Sequence, residues 1–332
     1  MIAIHSMFHT RRSFVRTARC TLPLLMAWVA LPALAHNNNA YVANEVDNTV
    51  SVIDTATNAV TATVPVGTNP AGIAVSPNGA SVYVANSSSN NVSVINAATN
   101  AVTATVPVGT GPAAAVVSPN GANVYVANAS ANTVSVINTT SNAVIATVSV
   151  GSNPDSVAIS PNGADVYVTN TNDNTVSVIS TATNAVTATV PVGNSPYGVA
   201  AGPFGANVYT ANFGDNTVSV IDTATNKVTA TAAAGNGTDA VAVSPIGIPV
   251  YTANYTDNTV SAIDPRNGAL IATVPVGNSP ISVAFGYDRA RLYVANTGSN
   301  TVSVINALTN KVIATVNVGN VPEAVATQPQ GW

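Results

Sequence analysis

Tyr83-Val84-Ala85-Asn86-Ser87-Ser88-Ser89-Asn90-Asn91-Val92-Ser93-Val94-Ile95-Asn96 is one copy of a unit that recurs along the chain. Its opening tetrapeptide frame returns at Tyr41, Tyr125, Tyr167, Tyr209, Tyr251 and Tyr293, a constant step of 42 residues. A second comb runs in phase with it: Gly67, Gly109, Gly151, Gly193, Gly235, Gly277 and Gly319. Seven copies in register make this a repeat architecture, and the unit must be read before anything else.

Four strands fit inside one period. We call them a (Gly72–Val75), b (Ser81–Ala85), c (Asn91–Ile95) and d (Ala101–Val108). Ser76-Pro77-Asn78-Gly79 is a turn between a and b, and Asn-rich segments join b to c and c to d. Strands a to c are nearly continuous runs of Val, Ile, Ala and small hydroxyl residues, as expected when both faces of a sheet are covered. Strand d alternates Val with Thr and carries proline at 65, 107, 191 and 275. Proline cannot donate to a ladder, which places d at an outer edge. Four short strands in about 40–45 residues predict a blade of a β-propeller. The expected fold is therefore all-β: a seven-bladed propeller of four-stranded blades.

The two ends support a closed ring. The first repeat begins in strand b at Tyr41 and lacks its own strand a. Val321-Pro322-Glu323-Ala324-Val325-Ala326 supplies a strand a and nothing more. One blade is thus expected to combine both ends of the chain. A solenoid, the rival architecture, needs atypical capping repeats.

Ahead of the repeats, Arg11, Arg12, Arg16 and Arg19 form a basic region, followed by an apolar run from Leu22 to Leu34. Ala33-Leu34-Ala35 reads as a cleavage site, so residues 1–35 are expected to be a signal peptide and residues 36–332 a single mature domain. The apolar run is short for a membrane span. Thr10-Arg11-Arg12-Ser13-Phe14 resembles a twin-arginine signal, although ordinary secretory signals also carry paired arginines. The expected destination is the periplasm, the cell surface or the medium.

The only cysteine, Cys20, falls in this leader, and so do four of the nine basic residues. The remaining five face all thirteen acidic residues, a net charge of −8 for the mature chain. Such a surface is a poor match for nucleic acid or anionic membranes, and self-repulsion favours a monomer. One histidine remains, His36. With no internal histidine and no thiol, Ser-His-Asp, Cys-His and the usual zinc chemistries are excluded.

Tyr167-Val168-Thr169-Asn170 and its sibling tetrapeptides resemble the YVTN-family β-propeller repeat, as do Asp173-Asn174-Thr175-Val176-Ser177-Val178-Ile179 and Ser160-Pro161-Asn162-Gly163. The resemblance spans the mature chain. It implies a secreted, periplasmic or surface-layer-like propeller and says little about activity.

Positions where the seven copies disagree are where a specific site could be built. The residue that begins each inner strand reads Ala71, Ala113, Asp155, Tyr197, Asp239, Ile281, Glu323; the first b–c loop residue reads Glu45, Ser87, Ala129, Thr171, Phe213, Tyr255, Thr297. Both sets are expected on one face, the top, at the mouth of the central channel. That face should also carry Asp47, Asp173, Asp215 and Asp257 and no basic residue, while Lys227, Arg266, Arg289, Arg291 and Lys311 balance acids below. Asp155, Tyr197, Asp239, Glu323, Glu45, Phe213 and Tyr255 are the candidate ligand- or partner-binding residues, suited to a cation, a cationic peptide or a glycan. No catalytic residue and no cofactor is expected. Two alternatives stay open: a lactonase-like hydrolase using a hard cation such as Ca2+ held by Asp155, Asp239 and Glu323, and a purely structural envelope component. The repeated Asn is read as a turn former, and the repeated Gly as a site of positive φ.

Overall fold

The computed structural model describes residues 39–328; the leader, with its cleavage site and His36, lies outside the described residues. The described chain forms twenty-eight strands in seven four-stranded antiparallel sheets. The innermost strands are β4 (Pro70–Val75), β8 (Pro112–Val117), β12 (Pro154–Ile159), β16 (Pro196–Ala201), β20 (Thr238–Val243), β24 (Pro280–Phe285) and β28 (Pro322–Thr327). Next outward come β1 (Asn39–Asn44), β5 (Ser81–Asn86), β9 (Asn123–Asn128), β13 (Asp165–Asn170), β17 (Asn207–Asn212), β21 (Val250–Asn254) and β25 (Arg291–Asn296). The third layer is β2 (Thr49–Asp54), β6 (Asn91–Asn96), β10 (Thr133–Asn138), β14 (Thr175–Ser180), β18 (Thr217–Asp222), β22 (Thr259–Asp264) and β26 (Thr301–Asn306). The outer edges are β3 (Ala59–Pro65), β7 (Ala101–Pro107), β11 (Ala143–Ser149), β15 (Ala185–Pro191), β19 (Lys227–Ala233), β23 (Ala269–Pro275) and β27 (Lys311–Asn317).

Every blade follows from the same alternation. In β5, Val82 and Val84 join the cluster that contains Tyr41, Val50 and Val52 of the blade before. Tyr83 and Ala85 turn to the opposite face and join Val124 and Val126 of the blade after. Side chains alternate across a strand, so a run with no polar residue is required where both faces touch another blade. Seven such clusters make up the core, one at each junction. The outer strands, with only one neighbour in their sheet, stay largely exposed apart from one buried residue such as Val64 or Val106.

The repeated Asn and Gly do work other than that expected of them. Each Asn ends its strand fully buried, and its Nδ2 donates to a serine hydroxyl on the next strand at 2.9–3.0 Å: Asn44 to Ser51, Asn86 to Ser93, and likewise in all seven blades. None of these asparagines is in the left-handed region. The Gly comb has no positive φ either. Its glycines are needed because a Cβ at Gly193 would fall 2.6 Å from Nδ2 of Asn212, and at Gly319 2.6 Å from Cγ of Asn44. The left-handed turn former is a different residue, four positions after the buried Asn. Asn48, Asn90, Asn132, Asn174, Asn216, Asn258 and Asn300 have φ of 53–57°. Each accepts, through Oδ1, the backbone N–H that opens the following blade, as in Asn48 to Asn69 at 2.8 Å and Asn300 to Val321 at 2.9 Å.

The ring closes as the sequence suggests. β28 pairs antiparallel with β1, Tyr41 opposite Ala326 and Val42 opposite Val325. At the same seam Asn320 N–H donates to Asp47 at 2.7 Å. Deleting residues 321–332 removes this strand and opens an edge that every other blade has covered. The melting temperature of the truncated protein is expected to fall by more than about 10 °C; unchanged melting would show that the clasp contributes nothing.

Candidate functional site

Because every inner strand starts at the same height, residues at one repeat position form a ring around the channel. Asp155 of β12, Asp239 of β20 and Glu323 of β28 line an upper cavity of about 280 Å³. Ala71 and Ala113 occupy the matching places on the far side. The mouth is therefore lopsided: the acids lie on three of five successive blades, and the two blades between Glu323 and Asp155 carry alanine. Its lining includes no basic residue. Below it the channel widens to about 620 Å³ and becomes apolar, lined by residues such as Val75, Val117, Ile159 and Pro161.

The carboxyl groups at the mouth are electrostatically strained. Asp155 is half-buried at the channel mouth, and desolvation there pushes its pKa up to about 7. Burial also raises Asp239 well above the ordinary range, reinforced by the charges of Asp155 and Glu323. Glu323 reaches about 7, first through burial and then through the charge of Glu45; the Thr297 hydroxyl, 3.5 Å from its Oε1, works the other way. Asp155 and Asp239 line the cavity and accept no hydrogen bond from the described residues. Among the described residues, no three His, Cys, Asp or Glu side chains converge as a metal-binding group.

Glu45 stands outside the cavity and accepts a bond from Asn69 Nδ2 at 3.0 Å. Tyr197 begins β16, between Asp155 and Asp239 on the flanking blades. Its ring packs edge-on against Phe213, with centroids 5.3 Å apart and planes at 68°. Phe213 in turn meets Tyr255 at 6.3 Å. The structure thus brings together three carboxyl groups and, beside them, three aromatic rings.

The other top-face acids are spent on the scaffold. Asp173, Asp215 and Asp257 each accept a loop N–H at 2.6–2.7 Å, from Ser152, Asn194 and Asn236. The bond from Asn236 holds Asp257 below the usual carboxylate range, and the matching one from Asn320 does the same for Asp47. The Asp-Asn-Thr segments are loop ties, with each residue engaged in the fold. On the opposite face Arg266 pairs with Asp264 at 2.6 Å and Arg291 with Asp288 at 2.5 Å.

Three hydroxyl residues, of which only Thr171 was among the variable top-face positions, make contacts that the sequence did not show. Thr169 Oγ1 donates to the Tyr197 carbonyl at 2.7 Å and accepts from Ser156 N–H at 3.0 Å. Thr171 Oγ1 donates to the Pro196 carbonyl at 3.0 Å. Ser156 Oγ accepts from Val199 N–H at 3.4 Å. The signal was available: the other six repeats carry alanine where Thr169 stands.

A carboxyl group that is harder to ionise in the folded chain than in the unfolded one binds its proton more tightly in the native state. Between pH 4 and 7 the native state then holds more protons, so stability falls as pH rises and levels off above 7. Asp155→Asn is expected to flatten this slope and to stabilise the protein at pH 8 by about 1–2 kcal/mol. Urea denaturation at pH 5, 6.5 and 8 measures it; an unaltered slope would mean that Asp155 titrates normally.

The model of the family described as Lactonase, 7-bladed beta-propeller matches residues 5–144 and 97–185, together more than half of the chain. No curated protein sequence matches. Among solved structures the chain resembles Kuenenia stuttgartiensis hydrazine synthase, with 24% identity over 81% of this chain and 92% of that one, at a TM-score of 0.74. A protein of unknown function from Desulfotomaculum acetoxidans superposes with a TM-score of 0.78 at 16% identity, covering 87% and 98%. A candidate 6-phosphogluconolactonase from Bacteroides uniformis gives 0.73 at 19% identity, also covering 87% and 98%. At these identities the structures share the fold. With its seven four-stranded blades and the extent of the family match, the chain belongs to the Lactonase, 7-bladed beta-propeller family.

Proposed function

We propose that the protein is an exported binding module, of the YVTN-repeat type, that captures a positively charged group at the mouth of its channel. One observation carries this reading. Asp155, Asp239 and Glu323 share one cavity, the charge of Asp155 makes both Asp239 and Glu323 harder to ionise, and no basic residue in the cavity lining offsets them. A bound cation would relieve the repulsion of all three at once. A protein segment or a small solute of the cell envelope can bring that charge, and a monomer suffices.

Family membership favours a second reading. Carboxyl groups held near pKa 7 in a cleft suit general-base catalysis at neutral pH, and Asp155 or Glu323 would activate water against a lactone. The lining offers no partner for a phosphate, so the substrate would be a neutral or cationic lactone.

Calorimetric titration with cationic probes at pH 6 and pH 8 separates the readings from a purely structural role. Binding is expected to strengthen at pH 8, where the carboxyl groups are ionised, and to weaken at least tenfold in Asp155→Asn/Asp239→Asn. Cation binding that ignores both pH and the double variant would remove the channel mouth as the site. Turnover of neutral lactones lost in the same double variant would promote the hydrolase.

A further inference from the structure

The aromatic cluster is built into the fold as firmly as the acids, and its placement bears on which cation the mouth accepts. Asp155, Tyr197 and Asp239 occupy the same repeat position on three successive inner strands. Desolvation raises the Tyr197 phenol, and the charges of Asp155 and Asp239 raise it further, so the side chain lies within the field of both. Tyr197 and Phe213 are half-buried, and Tyr255 is exposed at the outer end of the row.

Three independent features fix Tyr197 in place. The first is the hydroxyl staple described above. Thr169 and Thr171 reach across from the preceding blade and hold the carbonyls of Tyr197 and Pro196, and Ser156 holds the N–H of Val199. The second is Gly198. A Cβ there would lie 2.8 Å from the Asp239 carbonyl oxygen and 2.8 Å from Cα of Ala240. Glycine thus lets β16 approach the strand that carries Asp239, and the tyrosine comes with it. The third is the edge-on packing of Phe213, which sets the Tyr197 ring. At the matching positions the second and third blades have only Ala71 with Ala113, and Ser87 with Ala129.

We infer, building on the cation-binding reading, that this arc is an aromatic-and-acid subsite for an organic ammonium group bearing methyl or alkyl substituents. A bare metal ion needs several oxygens converging on one point, an arrangement absent among the described residues. A methylated ammonium has no such need. Its charge is spread over methyl groups that are poorly hydrated, so it gains from ring faces and from carboxylates that need not touch it directly. Ammonium, which demands direct hydrogen bonds, gains less from the rings.

The test titrates the purified protein at pH 8 and constant ionic strength with tetramethylammonium, ammonium and calcium chlorides. Tetramethylammonium is expected to bind at least tenfold tighter than ammonium. Tyr197→Leu and Phe213→Leu should bring that ratio close to one while ammonium binding stays within about twofold. Thr169→Ala should weaken tetramethylammonium several-fold, and Thr169→Ser should restore it, with melting temperature followed so that a loss of fold is seen. A wild-type ratio near one, or a ratio kept in Tyr197→Leu, overturns the inference and leaves cation binding itself intact. Absence of binding by any of the three ions overturns both. Where the preference holds, choline in solution compared with phosphatidylcholine vesicles shows whether the natural group is free or carried by a headgroup; binding of either supports the subsite.

Discussion

The buried Asn side chain at the end of each second strand is the constraint on which the rest depends. It is a polar amide taken fully out of water, and it stays there because its Nδ2 finds a serine one strand outward. The neighbouring turn must come so close that only glycine fits. Together these fix the height at which every blade hands over to the next. The same height seven times over turns one repeat position into one ring of the channel. In six of the blades the Asn Oδ1 has no partner. In the remaining one, Thr238 stands where the other six begin the inner strand with proline, and its hydroxyl lies 3.3 Å from Oδ1 of Asn254.

On such a scaffold, function can be added without altering the fold. The ring position tolerates alanine, so Asp, Tyr, Ile or Glu can be placed there one blade at a time. The chain has used that freedom unevenly. Two blades keep Ala71 and Ala113, and the opposite arc collects Asp155, Tyr197, Asp239 and Glu323. The stapling hydroxyls Thr169, Thr171 and Ser156 lie on the same arc. Acids with a loop to hold, such as Asp215 and Asp257, look alike in sequence but accept backbone N–H groups, which hold Asp257 below the normal carboxylate range. The channel acids lack such partners, and the difference in environment separates the two sets chemically.

Much of this was legible in the sequence, since a period of 42 leaves little freedom. Strand number, order, the outer position of the proline-bearing strand and the closing clasp all follow from repeat spacing and alternation. Local conformation was misassigned at two points. Tyr-Val-Ala-Asn was read as ending in a turn-forming Asn, whereas the left-handed residue is the later Asn, of which Asn90 is an example. Gly67 and its siblings were read as positive-φ glycines, because glycine's lack of a Cβ serves close approach as well as unusual dihedrals and the sequence cannot show which. The ring at the mouth was legible because its residues depart from the repeat. The staple was missed because a single Thr among six alanines, at Thr169, looks like drift until its partners are seen across the blade boundary.

The central claim is that the channel mouth is a set of carboxyl groups held ready for a positive partner. Carbon-13 NMR of the side-chain carboxyl groups of Asp155, Asp239 and Glu323, followed from pH 3 to 9, tests it most directly. The account predicts midpoints near 7 for Asp155 and Glu323, moving downward when a cationic ligand is present. Midpoints near 4 that no cation shifts would contradict it.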